Sequence, residues 1–232
     1  MKEVTVLGVL HNFHTSLFAN SFSLDDLAAI LRALRPECVL AELPPDWKMR
    51  YTPETLPDFK MEYREVILPL ANEVGYSVIP VDYASPQYAQ ACADWDENRQ
   101  TLVPYGEAKH ELLTQFEEAV FTVLPRIFHS AQELNSTSCN DLIQALKETE
   151  ALWFCRQQPE FNLWEQHNRL NFEQILKEIR RRPEQNYMIT FGLYHKYWFE
   201  KHLRQEDWLH FTPVEELLDD RMGTGEVKTA DG

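Results

Sequence analysis

Glycine, cysteine and basic residues are all scarce in this chain of 232 residues, and each scarcity narrows what it can be. The four cysteines, Cys38, Cys92, Cys139 and Cys155, show no Cys-x-x-Cys spacing. Neither a zinc cluster nor a disulfide framework is indicated, and a reducing compartment fits best. Lys and Arg number 22 against 37 Asp and Glu, a formal net charge of −15. That balance repels phosphate backbones and anionic membrane surfaces, so neither nucleic acid nor a membrane is an expected partner. The one basic run, "IRRRPE" at residues 179–184, reads as the solvated C-terminal turn of a helix. No apolar stretch reaches the roughly 18 residues that suggest a membrane span. The N-terminal apolar run breaks at His11, too early for a signal peptide, so a soluble cytoplasmic protein is expected.

What is present is a globular composition, 44% hydrophobic with thirteen Phe, nine Tyr and six Trp, ample for a real core. "VTVLGVL" (4–10), "ECVLAEL" (37–43) and "YSVIPVDY" (76–83) read as buried strands. Between them lie a helix that Ser23 caps and Pro36 closes, and a second that Gly75 stops. Strand–helix alternation with short connections argues an α/β fold with a parallel or mixed sheet. From 86 to 182 the pattern becomes helical. Leu112, Phe116, Val120, Val123 and Ile127 form one apolar stripe, and Pro125 is expected to kink that helix. The α/β pattern returns with "NYMITFGL" (186–193), a helix and a last strand in "DWLHFTPVEELL". The expected organisation is therefore an α/β core of residues 1–85 plus 183–218, a helical insertion of 86–182 forming a lid, and a disordered tail of 219–232.

The few glycines make one repetition conspicuous. "GVLH" ends the first strand and "GLYH" the fourth, so Gly8 precedes His11 by the spacing at which Gly192 precedes His195. Glu42 ends the second strand and Asp82 the third. In an open parallel sheet, ligands bind at the carboxyl ends of the strands, so two imidazoles and two carboxylates would share one rim. A glycine there lets the backbone approach a neighbour or turn without a Cβ. Each part has a plainer reading: His14 as a loop residue, Asp82 as a helix cap. Glu42 is harder to dismiss, because a carboxylate at the end of an apolar strand needs a partner. In "LWEQHNRLNFEQI", Trp164, Asn168, Asn171 and Ile175 share a helical face, and Glu165 with Arg169 forms an acid-to-base pair at i,i+4. That helix is either an ordinary amphipathic one with a surface ion pair, or it brings Asn168 and Arg169 over the rim.

Taken together, "GVLH", "LRPECVLAEL", "VIPVDY", "EQHNRLNFEQI" and "ITFGLYH" resemble, in this order over about residues 4–200, the superfamily of TraB/PrgY proteins, Tiki proteases, GumN-like proteins, erythromycin esterases and ChaN-like haem-binding proteins. The first Arg after Glu42 is Arg50, and Lys196 follows His195, where TraB-like members carry a nearer Arg and a small or apolar residue. The resemblance implies one scaffold with several chemistries. The Tiki-like expectation is a hydrolase of peptide, amide or ester bonds whose divalent cation, zinc, manganese or cobalt, is held by His11, Glu42 and His195. Glu165 or Asp82 would then take a proton, and Arg169 or Asn168 would steady the oxyanion. His14, Asp82 and Tyr194 are expected to contact a small-molecule or peptide substrate. The erythromycin-esterase-like alternative uses Glu42 and the two histidines as acid and base without a metal. The ChaN-like alternative binds haem or another small ligand.

Overall fold

Six consecutive residues, Val4 to Val9, are buried in the first strand, β1 (Lys2–Val9), as a run that is apolar on both faces should be when it lies inside a parallel sheet. The structure, a computed structural model, describes residues 1–56, 60–83, 90, 91, 94, 104–155 and 162–222. The fold is α/β, with five parallel strands in the order β3-β2-β4-β1-β5. The other strands are β2 (Cys38–Ala41), β3 (Ser77–Pro80), β4 (Asn186–Gly192) and β5 (Leu209–Phe211). A large helical segment lies between β3 and β4. Val9 pairs with Gly192, and Ala41 with both Thr190 and Pro80, so four adjacent strands end at one level.

Helix α1 (Leu24–Leu34) begins with the reciprocal Ser23–Asp26 capping box, which satisfies two backbone donors at its start. α2 is a helical run in which wide π-type turns, Tyr63–Ile67 and Ala71–Gly75, flank Leu68–Leu70. It ends at Gly75, whose φ of 90° suits a residue without a Cβ. The segment after β3 contains α3 (Gly106–Ile127), α4 (Ala131–Leu134), α5 (Thr137–Phe154) and α6 (Leu163–Arg181). α7 (Leu193–Leu203) follows β4 directly and packs across β1 and β4, and α8 (Val214–Met222) closes the described chain.

The apolar stripe of α3 differs in phase from the expected one. Leu112, Val123 and Ile127 are exposed, whereas Leu113, Val120 and Leu124 are buried and Phe116 is half-buried. Both sets satisfy helical spacing. The choice is made by the neighbours: Leu113 packs with Leu146 and Phe154 of α5, while Val120 and Leu124 join the core over the sheet. Pro125 lies inside α3, two residues before its end at Ile127, and leaves the carbonyl of Phe121 without its intrahelical donor. Phe172, Ile175, Leu176 and Ile179 of α6 share that same core, so this part of the helical segment is continuous with the sheet. The basic run ends α6 as expected, and Arg181 and Arg182 both pair with the buried carboxylate of Glu178. α8 carries helix through Met222, four residues into the stretch expected to be disordered; residues 223–232 lie outside the described residues.

One contact ties the helical segment to the sheet. β5 pairs with β1 only through Val4. Farther along that side of β1, the buried amide of Asn135 takes over: its Oδ1 accepts from Gly8 N at 2.7 Å and its Nδ2 donates to Gly8 O at 3.3 Å. A side-chain amide thus continues the ladder where the neighbouring strand has ended.

Candidate active site

β1 and β2 are not neighbours; β4 runs between them. His11 and Glu42 nevertheless face each other across β4, with His11 Nε2 3.6 Å from Glu42 Oε2. Gly192, the last residue of β4, makes this possible. A Cβ there would stand 2.8 Å from His11 Nε2 and 3.5 Å from Glu42 Oε2, inside the space the two groups use. Gly8 serves a different contact: a Cβ on it would meet Leu193 Cδ1 at 2.7 Å and the Leu193 backbone at 3.2 Å, so it lets the start of α7 settle on β1. Neither glycine aims the histidine that follows it. Each clears space for a neighbouring element.

Glu42 is almost fully buried and has a partner for each oxygen. Oε1 accepts from Lys60 Nζ at 2.8 Å, and Oε2 accepts from Gly192 N at 2.5 Å. Burial opposes its charge, but Lys60, His11 and His195 outweigh that and hold its carboxyl well below the usual range. Its backbone is fixed by Tyr63, whose hydroxyl accepts from Glu42 N at 2.9 Å and donates to Thr190 O at 2.7 Å.

His11 is held by a residue that the sequence reading did not single out. Its Nδ1 donates to Glu62 Oε1 at 2.7 Å, which leaves Nε2 with the lone pair on the Glu42 side. Glu62 is completely buried, and its second oxygen has no partner. Burial pulls the His11 imidazolium down, yet the carboxylates of Glu42 and Glu62 reverse this and raise it above 6.5. The backbone of His11 lies in the left-handed region at φ 52°, a conformation costly for a residue with a Cβ and held here by the surrounding contacts. Lys60 and Glu62 had a readable signal. Lys60 precedes Tyr63 by three and Ile67 by seven, and Glu62 precedes Val66 by four, so both charges fall on the buried face of an amphipathic helix.

His195 occupies the same rim in another state. Its Nδ1 donates to Asn168 Oδ1 at 2.6 Å, and its ring stacks on Trp164 at 5.9 Å between centroids. Burial pushes it down to about 4, with Glu42 opposing and His167 adding, so it is neutral at pH 7. Asn168 Nδ2 is buried without a partner. Asp82 is placed next to His167, whose Nε2 lies 2.8 Å from Asp82 Oδ1. The His167 ring stands edge-on to that of His195 at 5.9 Å. Asn171 fixes the start of the loop after β3 by accepting from Tyr83 N at 2.5 Å.

Of the other expected site residues, Arg169 and His14 go elsewhere, while Tyr194 stays beside the rim. The Arg169 side chain is 67% exposed and pairs with Glu165 at 3.6 Å, while Glu165 accepts from Trp198 Nε1 at 2.7 Å. The pair belongs to the outer side of α6, away from the His11–Glu42 contact, because its i,i+4 spacing places it off the Asn168 face. His14 is buried against backbone on both sides: Leu10 N donates to its Nε2 at 3.1 Å, and its Nδ1 donates to Phe22 O at 2.7 Å. It folds the loop after β1, and its burial lowers its affinity for a proton. Tyr194 lines a cleft of about 200 Å³ with Leu10, Phe13, Phe121 and both rim histidines.

The donor set argues against a divalent cation on His11, Glu42 and His195. Both Glu42 oxygens are engaged, one by an ammonium group at 2.8 Å, and a divalent ion on the other would lie close to that fixed charge with little water to screen it. His11 and Glu42 are close enough to share an ion, but Lys60 already supplies the compensating charge. Among the described residues, no helix is long and apolar enough to cross a membrane. In comparisons with family models, curated proteins and solved structures, nothing matches the chain.

Proposed function

We propose that the chain is a hydrolase that cleaves carboxylic esters without a metal, using His11 as general base. The observation that carries this reading is the 2.7 Å hydrogen bond from His11 Nδ1 to the buried Glu62, which fixes the tautomer and leaves a basic Nε2 on a ring that lines the cleft. Nε2 would take a proton as water attacks the ester carbonyl. The same imidazolium would return it to the leaving alkoxide when the tetrahedral intermediate collapses. Glu62, bonded to Nδ1, orients the ring and stabilises the imidazolium in between, as the carboxylate of a serine-protease triad does for its histidine, and the anionic Glu42 adds to this from the Nε2 side. Neutral His195 donates from Nδ1 to Asn168, so its Nε2 is left to accept a hydrogen bond from the attacking water. The first turn of α7 opens beside the cleft, and a helix start offers backbone donors with no intrahelical partner for the developing oxyanion.

Of the two hydrolytic chemistries that the resemblance implies, the engagement of Glu42 by Lys60 favours this one over the metal-dependent form. A panel of p-nitrophenyl and aliphatic esters, assayed with and without EDTA and 1,10-phenanthroline, tests it. Turnover is expected to persist in chelator and to vanish in His11→Ala. Turnover that chelator abolishes and zinc or manganese restores would return the assignment to the metal-dependent reading.

A further inference from the structure

The wall of the cleft beside His11 is apolar and aromatic. Phe13, from the turn after β1, lies 5.5 Å from Phe121 of α3, and Phe121 lies 5.4 Å from Tyr194 of α7, edge to face. Leu10 and Leu124 complete it, and among the described residues the lining contains no Lys, Arg, Asp or Glu. A charged acyl chain would lose its hydration here and gain no ion pair. The volume is about 200 Å³. A dry cavity of about 150 Å³ accommodates benzene, whereas sites for drug-sized ligands begin at about 300 Å³. The space thus suits one ring and a few further atoms.

Resting on the hydrolase reading above, we propose that this cleft is the acyl pocket and that the substrate is a small, uncharged ester of an aromatic acid. The ring lies among Phe13, Phe121 and Tyr194, where edge-to-face contacts add to the burial. Its carbonyl carbon is then presented to water beside His11 and His195. Phe121 and Leu124 of α3 join Phe13 and Tyr194 in setting specificity, so the helical segment shares in selecting the acyl group while the sheet rim supplies the chemistry.

The test compares kcat/KM for p-nitrophenyl benzoate, acetate and succinate, with benzamide titrated by NMR as a neutral ligand that is not an ester. Benzoate should be preferred over acetate by about tenfold or more, and succinate should be the poorest. Leu124→Trp, which fills the cleft, should reverse the benzoate preference, and Phe13→Ala, at a partly exposed ring that folding does not need, should weaken it. Saturable benzamide binding should be lost in Leu124→Trp. Equal turnover of the three esters, or a benzoate-to-acetate ratio unchanged in both variants, overturns the pocket and leaves the hydrolase reading standing. No ester turnover together with benzamide binding that Phe13→Ala weakens, and that Leu124→Trp abolishes while its thermal melting is retained, overturns the hydrolase reading and supports the pocket. Neither turnover nor binding overturns both.

Discussion

The two Gly-x-x-His copies are alike in sequence and opposite in electrostatics. His11 faces two carboxylates and gains basicity; His195 faces an amide, lies between aromatic rings and is held neutral down to about 4. Position at the end of a strand is common to both, but the partner of Nδ1 decides what each ring does. The glycines also differ: Gly192 opens the space in which His11 meets Glu42, and Gly8 admits Leu193. A repeated motif here marks a repeated place in the fold, and the chemistry at each place is assigned by Lys60 and Glu62, just before α2, and by residues from α6.

The contrast is broken most strongly by removing the basic ring. His11→Ala should lower kcat/KM for ester hydrolysis by about 10³-fold, whereas a matching loss in His195→Gln without any loss in His11→Ala would reverse the two roles. Gly192→Ala comes next. Its Cβ would displace the His11 ring and cost about 10²-fold in kcat, because small misplacements of a reacting group are expensive. Thermal melting should shift far less than for a core cavity.

Glu62→Gln sharpens the comparison by making the partner of His11 an amide, as it is for His195. About a tenfold fall in kcat is expected, with a change in the pH profile. His11 must be neutral to act, and its affinity for a proton is raised above 6.5, so the wild-type rate should climb with pH through a midpoint above that value. In Glu62→Gln the midpoint should move down; a midpoint that does not move would show that Glu62 leaves the base unaffected. The reciprocal change, Asn168→Asp, should raise His195 from about 4, followed by NMR titration of its ring protons. In the wild type, the unfolded chain takes up the His195 proton first as pH falls from 6.5 toward about 4, so stability declines across that window. The variant should flatten that decline. Gly8→Ala should have the smallest effect on turnover. It overpacks Leu193 and should cost about 1–3 kcal/mol of stability by urea unfolding.

The strand ends and the rim they share were readable because buried parallel strands are continuous apolar runs, and a polar residue closing each one stands out. Ser23 with Asp26 announced α1 at short range for the same kind of reason: the whole device lies within four residues. The partners of the rim were harder. Glu62 and Lys60 come from a helix 51 residues after His11 and 18 after Glu42, and only their place on a buried face betrays them. Arg169 illustrates the opposite error: beside Asn168 in sequence, it faces solvent, because adjacent helical residues point about 100° apart. In α3, two stripes fitted the spacing equally well, and the burial of Leu113 rather than Leu112 was decided by α5, about which the local sequence is silent.

The clasp between Asn135 and Gly8 bears on how a substrate reaches the pocket. A flap that hinged open as one piece would have to tear this doubly bonded amide from the strand that leads to His11, disordering the base each time it moved. Admission is therefore expected at the scale of single rings, through rotation of the partly exposed Phe13 against Phe121, while the catalytic floor stays still.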